Sequence, residues 1–168
     1  DGWTDGLSQY NSCRLKRMRK LKITELNRIS TEEFKEVEKT PLIVVLDNIR
    51  SLNNIGSLFR TSDAFLVEKI YLCGITATPP NQEIHKTALG AEHTVEWEYF
   101  KETTDAVNEL KNNGYTVYAI EQVENSIMLD KLETDSSKKY AVILGNEVKG
   151  VQQEAINLCD ECIEIPQY

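Results

Sequence analysis

A chain of 168 residues that is 40% hydrophobic and 27% charged has enough apolar material for one domain with a real core. No apolar run approaches the length of a membrane span and no charged–apolar–small pattern opens the chain, so membrane-spanning and secreted proteins are set aside and the cytoplasm is the expected compartment. A net charge of -8 excludes a uniformly basic nucleic-acid footprint.

The charge is unevenly placed. Arg14, Lys16, Arg17, Arg19, Lys20 and Lys22 stand close together, whereas the chain from Pro41 onward carries 10 basic and 20 acidic residues. A basic arm on an acidic body suits an RNA backbone; a solvated arm is the other reading. Residues 1–17 show no periodicity and read as an upstream remnant, with Met18 as the natural start. Residues 18–40 read as a basic, partly helical extension. Within it Ser30-Thr-Glu-Glu33 is a capping box opening a short helix through Lys39, with Phe34 and Val37 as apolar contacts.

The domain proper is expected over 41–168. Leu42–Leu46 is a continuous apolar, β-branched run between Pro41 and Asp47, the pattern of a strand buried on both faces. Asn53 or Asn54 then caps a helix carrying Ile55, Leu58, Phe59 and Phe65. Lys69–Cys73 is a second strand, and Thr76–Asn81, with Pro79-Pro80, is a loop. Glu83–Leu89 makes a short helix stopped by Gly90. Thr94–Phe100 alternates Val95, Trp97 and Tyr99 with Glu96 and Glu98, which predicts a strand near a sheet edge. Thr103–Asn113 is an amphipathic helix with Ala106, Val107 and Leu110 inward and Gly114 as its stop. Strands follow at Thr116–Ile120, Tyr140–Leu144 and Glu161–Ile165, with a helix over Val151–Leu158. This alternation predicts an α/β fold: an open parallel sheet of about six strands with helices on both faces and Leu42–Leu46 and Tyr140–Leu144 near its centre.

In such sheets ligands bind at the carboxyl ends of the strands, so the loops after Leu46, Leu144 and Ile165 are the expected site. Asn54 is a helix cap or a site residue. Arg60 is a salt-bridging arginine or a functional one, because an arginine on an apolar helix face needs a partner for its guanidinium. Glu147 is a solvated loop residue or part of the site, and Gly145 and Gly150 beside it allow close backbone approach. Cys159-Asp-Glu-Cys162 has CxxC spacing but no second pair for zinc, and it does not open a helix as a redox pair should. Reduced, mostly buried cysteines are expected. His85 and His93 stand apart without carboxylate or cysteine partners at ligand spacing, so both are expected to be structural or exposed, and no metal is expected.

Taken jointly, three segments carry a resemblance. Leu46-Asp-Asn-Ile-Arg-Ser-Leu-Asn-Asn54-Ile-Gly-Ser-Leu-Phe-Arg60-Thr resembles the first motif of the SpoU (TrmH) class of SPOUT-superfamily RNA methyltransferases. Leu144-Gly-Asn-Glu147-Val-Lys-Gly-Val resembles the second, and Ile163-Glu-Ile-Pro166 the opening of the third. Lys86-Thr-Ala-Leu-Gly-Ala-Glu between them is also similar to the family. The resemblance covers about Pro41 to the last residue. It implies an S-adenosyl-L-methionine-dependent 2′-O-ribose methyltransferase acting on tRNA or rRNA, a homodimer with a C-terminal trefoil knot. Arg60, Asn54 and Glu147 would be the catalytic set, Arg60 helping to deprotonate the ribose hydroxyl and the other two orienting the site. The backbone around Glu121, Leu144, Gly145 and Ile165 would cradle the cofactor. Two departures stand out: Leu52 occupies a common proline position, and Tyr168 follows Pro166 by two residues, where the family's third motif continues into a last helix. The expectation is therefore a truncated knot-forming segment, an open cofactor pocket and impaired catalysis. Two rivals are a non-catalytic RNA-binding module that retains the fold, and a nucleotide-binding α/β protein of different topology.

Overall fold

The computed structural model describes residues 19–22, 25–26 and 29–167; the upstream remnant, Met18 and Cys13 lie outside them. Seven strands form one sheet: β1 (Thr40–Asp47), β2 (Val67–Cys73), β3 (Trp97–Phe100), β4 (Tyr115–Ile120), β5 (Ile127–Met128), β6 (Lys139–Leu144) and β7 (Glu161–Glu164). Their spatial order is β3-β2-β1-β6-β4-β7-β5, with every pairing parallel. The two unbroken apolar runs are adjacent at the centre, with Val44 opposite Ile70 on one side and Val142 on the other. The seventh strand is the difference from expectation. β5 has only two residues, too few for any periodicity, and exists because β7 offers it an edge.

Side chains alternate across the sheet, so β1 feeds two cores. Ile43 and Val45 join Tyr71, Cys73, Val117 and Ile143 beneath α4 (Thr103–Asn112) and α5 (Gln153–Ile156), which contribute Ala106, Val107, Leu110 and Ala155. Val44 and Leu46 pack on the other face with Ile70 and Leu72. There they meet Ile55 and Phe59 of α2 (Leu52–Ala64), Ile84 and Ala88 of α3 (Gln82–Ala88) and Phe34 of α1 (Thr31–Glu36). Phe59 is wholly buried, and truncating such an aromatic to alanine costs about 3–5 kcal/mol.

Local signals hold with shifted ends. The Ser30–Glu33 capping box is formed, but α1 stops at Glu36 and Val37 is an exposed cap rather than a core contact. α2 begins two or three residues earlier than expected: Ser51, not Asn53 or Asn54, is the N-cap, its hydroxyl accepting the Asn54 N–H at 3.2 Å. β3 is an edge strand as expected, shortened because Ala91–His93 turns as 3-10 helix before it. Gly114 ends α4 at φ 79°. The helix expected over Val151–Leu158 shrinks to Gln153–Ile156, because the chain must reach β7 quickly. No helix among the described residues is long and apolar enough to cross a membrane.

This topology positions a site. From β1 the chain crosses through α2 to β2 on one side; from β6 it crosses through α5 to β7 on the other. The connections part between the carboxyl ends of β1 and β6, the switch point where open α/β sheets leave a crevice.

Candidate functional site

The crevice is built first from buried polar groups. Asp47 closes β1 and is 1% exposed, yet its carboxylate has four donors. Oδ1 accepts from the Thr103 hydroxyl at 2.6 Å, the Gln152 side-chain amide at 2.8 Å and the Asn48 amide at 3.0 Å, while Oδ2 accepts the Gln152 N–H at 2.8 Å. The buried Thr76 hydroxyl donates to the Leu46 carbonyl at 3.1 Å and accepts the Ile49 N–H at 3.0 Å. Asn48 sits in the left-handed region at φ 54°, which asparagine tolerates better than most residues. Sequence reasoning missed Asp47, Thr76, Thr103 and Gln152. The available signal was an aspartate placed directly after an unbroken apolar strand, where a carboxylate needs partners.

The loop after β6 is a closed turn. Asn146 and Gly150 exchange backbone hydrogen bonds of 3.0 and 2.9 Å, and the Asn146 side-chain oxygen accepts the N–H groups of Val148 and Lys149, both at 3.0 Å. The Asn146 amide reaches across to donate to the Asn48 carbonyl at 2.7 Å, locking the two loops together. The turn then presents Glu147 to the start of α2. Its carboxylate accepts the Arg50 N–H at 3.0 Å, the Ser51 N–H at 2.9 Å and the Asn54 side-chain amide at 3.3 Å. Burial pushes the Glu147 carboxyl up, but the N–H groups of Arg50, Ser51 and Glu147 itself, and then Asn54, outweigh it and hold it below the usual glutamate range. A carboxylate at a helix N-terminus is also favoured by the helix dipole. Asn54 and Glu147, distant in sequence, are thus brought into contact.

Arg60 is not part of that contact. Six residues along a helix is about 9 Å of rise and about 120° of rotation, so Arg60 leaves α2 on a different side from Asn54. Its side chain is 42% exposed, and its ion pair among the described residues is with Asp63 at 3.6 Å. Asp63 is itself held by the Thr94 hydroxyl at 2.7 Å. The partner expected for an arginine on this helix is thus Asp63, one turn on.

The expected cofactor residues lie along one row of strand ends: Leu144 is in register with Ile120, and Ile120 with Ile163. Glu121 and Gly145 therefore leave neighbouring strands side by side, and Ile165, half-exposed, follows β7. The Glu121 carboxylate accepts the Val151 N–H at 2.9 Å and the Gln122 N–H at 3.0 Å. The two glycines serve the chain's own packing. A Cβ on Gly145 would come within 2.2 Å of the Gly150–Val151 backbone, and one on Gly150, at φ 69°, within 2.1 Å of the Glu121 carboxylate. Beside the loops a cleft of about 600 Å³ is lined by Asp47, Asn48, Arg50, Ile75, Lys149 and Gln152 among others, with Arg50 and Lys149 exposed.

Burial pushes the Cys159 thiol up to about 12 and raises that of Cys162, and the Cys159 thiol meets the Ala155 carbonyl at 3.2 Å, so the CxxC pair is packing material. The reading of the histidines needs correction. His85 and His93, expected to stand apart from any carboxylate, both face Glu92. The left-handed turn at Leu89 and Gly90 folds the chain back and makes this meeting, which no linear spacing rule anticipates.

Residues 41–168 match the SpoU rRNA Methylase family. The tRNA (guanosine(18)-2′-O)-methyltransferase of Thermus thermophilus is 32% identical over 143 residues, 85% of this chain and 72% of that enzyme. Among solved structures, the Aquifex aeolicus TrmH/SpoU tRNA modifying enzyme has TM-score 0.69 at 26% identity, covering 82% of this chain and 68% of that one. The AdoMet-bound rRNA methyltransferase of Sinorhizobium meliloti has TM-score 0.71 at 24% identity; the match covers 80% of this chain and 51% of that one, and shows a shared fold. With the family match running from residue 41 to 168 and a relative 32% identical over most of its length, this chain belongs to the SpoU rRNA Methylase family.

Proposed function

We propose that this chain is the methyltransferase domain, residues 41–168, of an enzyme that methylates a ribose 2′-hydroxyl in tRNA or rRNA using S-adenosyl-L-methionine. The observation that carries the reading is the clasp between Glu147 and the start of α2, which ties two motif-bearing loops into one rigid corner beside an open cleft.

A ribose hydroxyl is a poor nucleophile near neutral pH and needs a base or strong electrostatic help. Glu147 does not serve as that base, since both its oxygens are filled by N–H donors and its carboxyl is held low; with Asn54 it orients the corner. Arg60 is the catalytic residue in this reading. Its half-exposed guanidinium presents planar donors to the substrate phosphate and to the developing alkoxide. Arg50 and Lys149 on the cleft rim add positive charge toward an RNA backbone, on an otherwise acidic body.

The donor set at the ends of β4, β6 and β7 fits S-adenosylmethionine. Leu144 and Ile165 offer apolar surface and the backbone of Leu144, Gly145 and Ile165 offers hydrogen-bonding groups, while the Glu121 and Glu164 carboxylates, filled by donors of the chain itself, hold the edge in shape. When bound, it supplies the methyl group. The homodimer implied by the family resemblance belongs to the same reading, and sedimentation of the full-length protein tests it.

A second reading, an RNA-binding module without chemistry, is favoured by one observation: Arg60 is paired to Asp63 and stands apart from the Asn54–Glu147 corner. Methyl transfer from labelled S-adenosylmethionine to bulk tRNA and rRNA by the full-length protein separates the two. Incorporation that nuclease digestion traces to 2′-O-methylribose supports the enzyme; RNA binding without incorporation overturns it.

A further inference from the structure

Outside the switch-point crevice, the described residues contain one cluster of metal-ligating side chains, and the proposed methyl transfer makes no use of it. α3 ends at Ala88, Leu89 (φ 53°) and Gly90 (φ 96°) reverse the chain, and Ala91–His93 forms a single 3-10 turn. The reversal lays the turn back against the last residues of α3. Glu92 is driven inward, its side chain 4% exposed, while His85 and His93 stay 62% and 69% exposed on either side of it. The Gly90 N–H donates to Glu92 Oε2 at 3.0 Å, which fixes the carboxylate and leaves Oε1 for the two rings. His85 Nδ1 is in hydrogen-bond contact with Oε1, and His93 Nε2 lies 3.6 Å from it. The three ligand atoms all fall within 4.8 Å of one another.

We infer that His85, Glu92 and His93 form a binding site for a divalent transition-metal ion of the zinc class. Two imidazoles and one carboxylate are the donor set that zinc accepts, and they are too rich in nitrogen and too few in oxygen for calcium or magnesium. Bond lengths of about 2.0–2.1 Å in a tetrahedral shell place neighbouring ligand atoms roughly 3.4 Å apart, so the ring nitrogens need only small side-chain rotations to close on an ion. The buried, backbone-anchored carboxylate is the rigid member, and the two exposed histidines are the adjustable ones. The fourth position stays open to solvent, since Glu92 and His93 also line a shallow depression of about 270 Å³ with Lys35, Lys69, Glu96 and Trp97. Of the nearby lysines, Lys86 is paired with Glu83 and Lys69 with Glu98, which reduces their repulsion of a cation. Bound metal staples the end of α3 to the following turn and leaves one exchangeable site for water or a ligand.

The test is titration of the chelator-treated chain with Zn²⁺ alone, followed by calorimetry and by the melting temperature, with Co²⁺ as an optical probe of four-coordinate geometry. It is run in a Cys13→Ser/Cys159→Ser/Cys162→Ser background so that no accessible thiol can report, the fourth cysteine, Cys73, being wholly buried. One equivalent should bind and raise the melting temperature, and His85→Ala or His93→Ala should each weaken binding by at least about tenfold. Both histidines are largely exposed, so these variants should keep the parent's circular dichroism, and Glu92→Gln should lose the site as well. Absence of binding at sub-millimolar Zn²⁺, or binding that His85→Ala/His93→Ala leaves unchanged, overturns the inference. Because the readouts are metal binding and stability, they do not depend on whether the chain methylates RNA.

Discussion

Replacing Asp47 probes the polar centre of the crevice. Its carboxylate receives four hydrogen bonds from three other residues, and two of the donors, the Gln152 N–H and the Thr103 hydroxyl, cannot simply turn to water. Asp47→Ala strands both, and a buried donor left without a partner costs about 1–3 kcal/mol, so the loss should be about 2–6 kcal/mol. Asp47→Asn is more selective. Oδ1 takes three of the four donors, so the asparagine oxygen can keep that position while its NH₂ faces the Gln152 N–H alone. One donor–donor conflict should cost about 1–3 kcal/mol, less than the alanine change. For a chain of this size, each kcal/mol shifts the melting temperature by about 2–4 °C, giving falls of about 4–24 °C for alanine and clearly less for asparagine. Urea unfolding should show the same order in midpoint with an unchanged slope. A variant Asp47→Asn as stable as the parent, or one as damaged as Asp47→Ala, would refute the reasoning.

Three further outcomes are expected. In the full-length enzyme, Arg60→Ala should lower kcat by about 100-fold or more with cofactor affinity nearly unchanged, and Arg60→Lys should rescue little; near-normal turnover removes Arg60 from the catalytic role. The Glu147 carboxyl is held low in the folded chain, so it stabilises fully above the unfolded glutamate pKa and that contribution is lost as pH falls through the lower folded value. Glu147→Gln should therefore flatten the acid limb of stability against pH, modestly because the group is solvent-screened, and leave the limb above neutrality unchanged. Gly145→Ala should destabilise the β6 loop measurably in urea, because its methyl group would press on the Gly150–Val151 backbone at 2.2 Å; an alanine variant with the parent's midpoint would show that the loop can open freely.

What the chain's own order of residues determined was whatever depends on near neighbours. The unbroken run Leu42–Leu46 had to be a strand covered on both faces, and it lies at the sheet centre; Ser30 and Glu33 closed their capping box; Gly114 stopped α4. Asn54, Leu144, Gly145 and Glu147 could be placed at strand ends and a helix start, because those boundaries can be read locally. Tertiary structure decided the rest. The two-residue β5 forms only because β7 has an open edge, and α5 is cut to one turn by the distance to β7. Ser51 displaces the asparagines as cap because Glu147, contributed by a loop far along the chain, already binds the Arg50 and Ser51 N–H groups. The Asp47 network joins residues 56 and 105 positions apart, and the His85–Glu92–His93 cluster needs a left-handed reversal that only the packed turn reveals. Hydrophobic periodicity and capping act over a turn or two and leave a local trace, whereas buried polar groups choose partners by proximity in the folded state, whatever their separation along the chain.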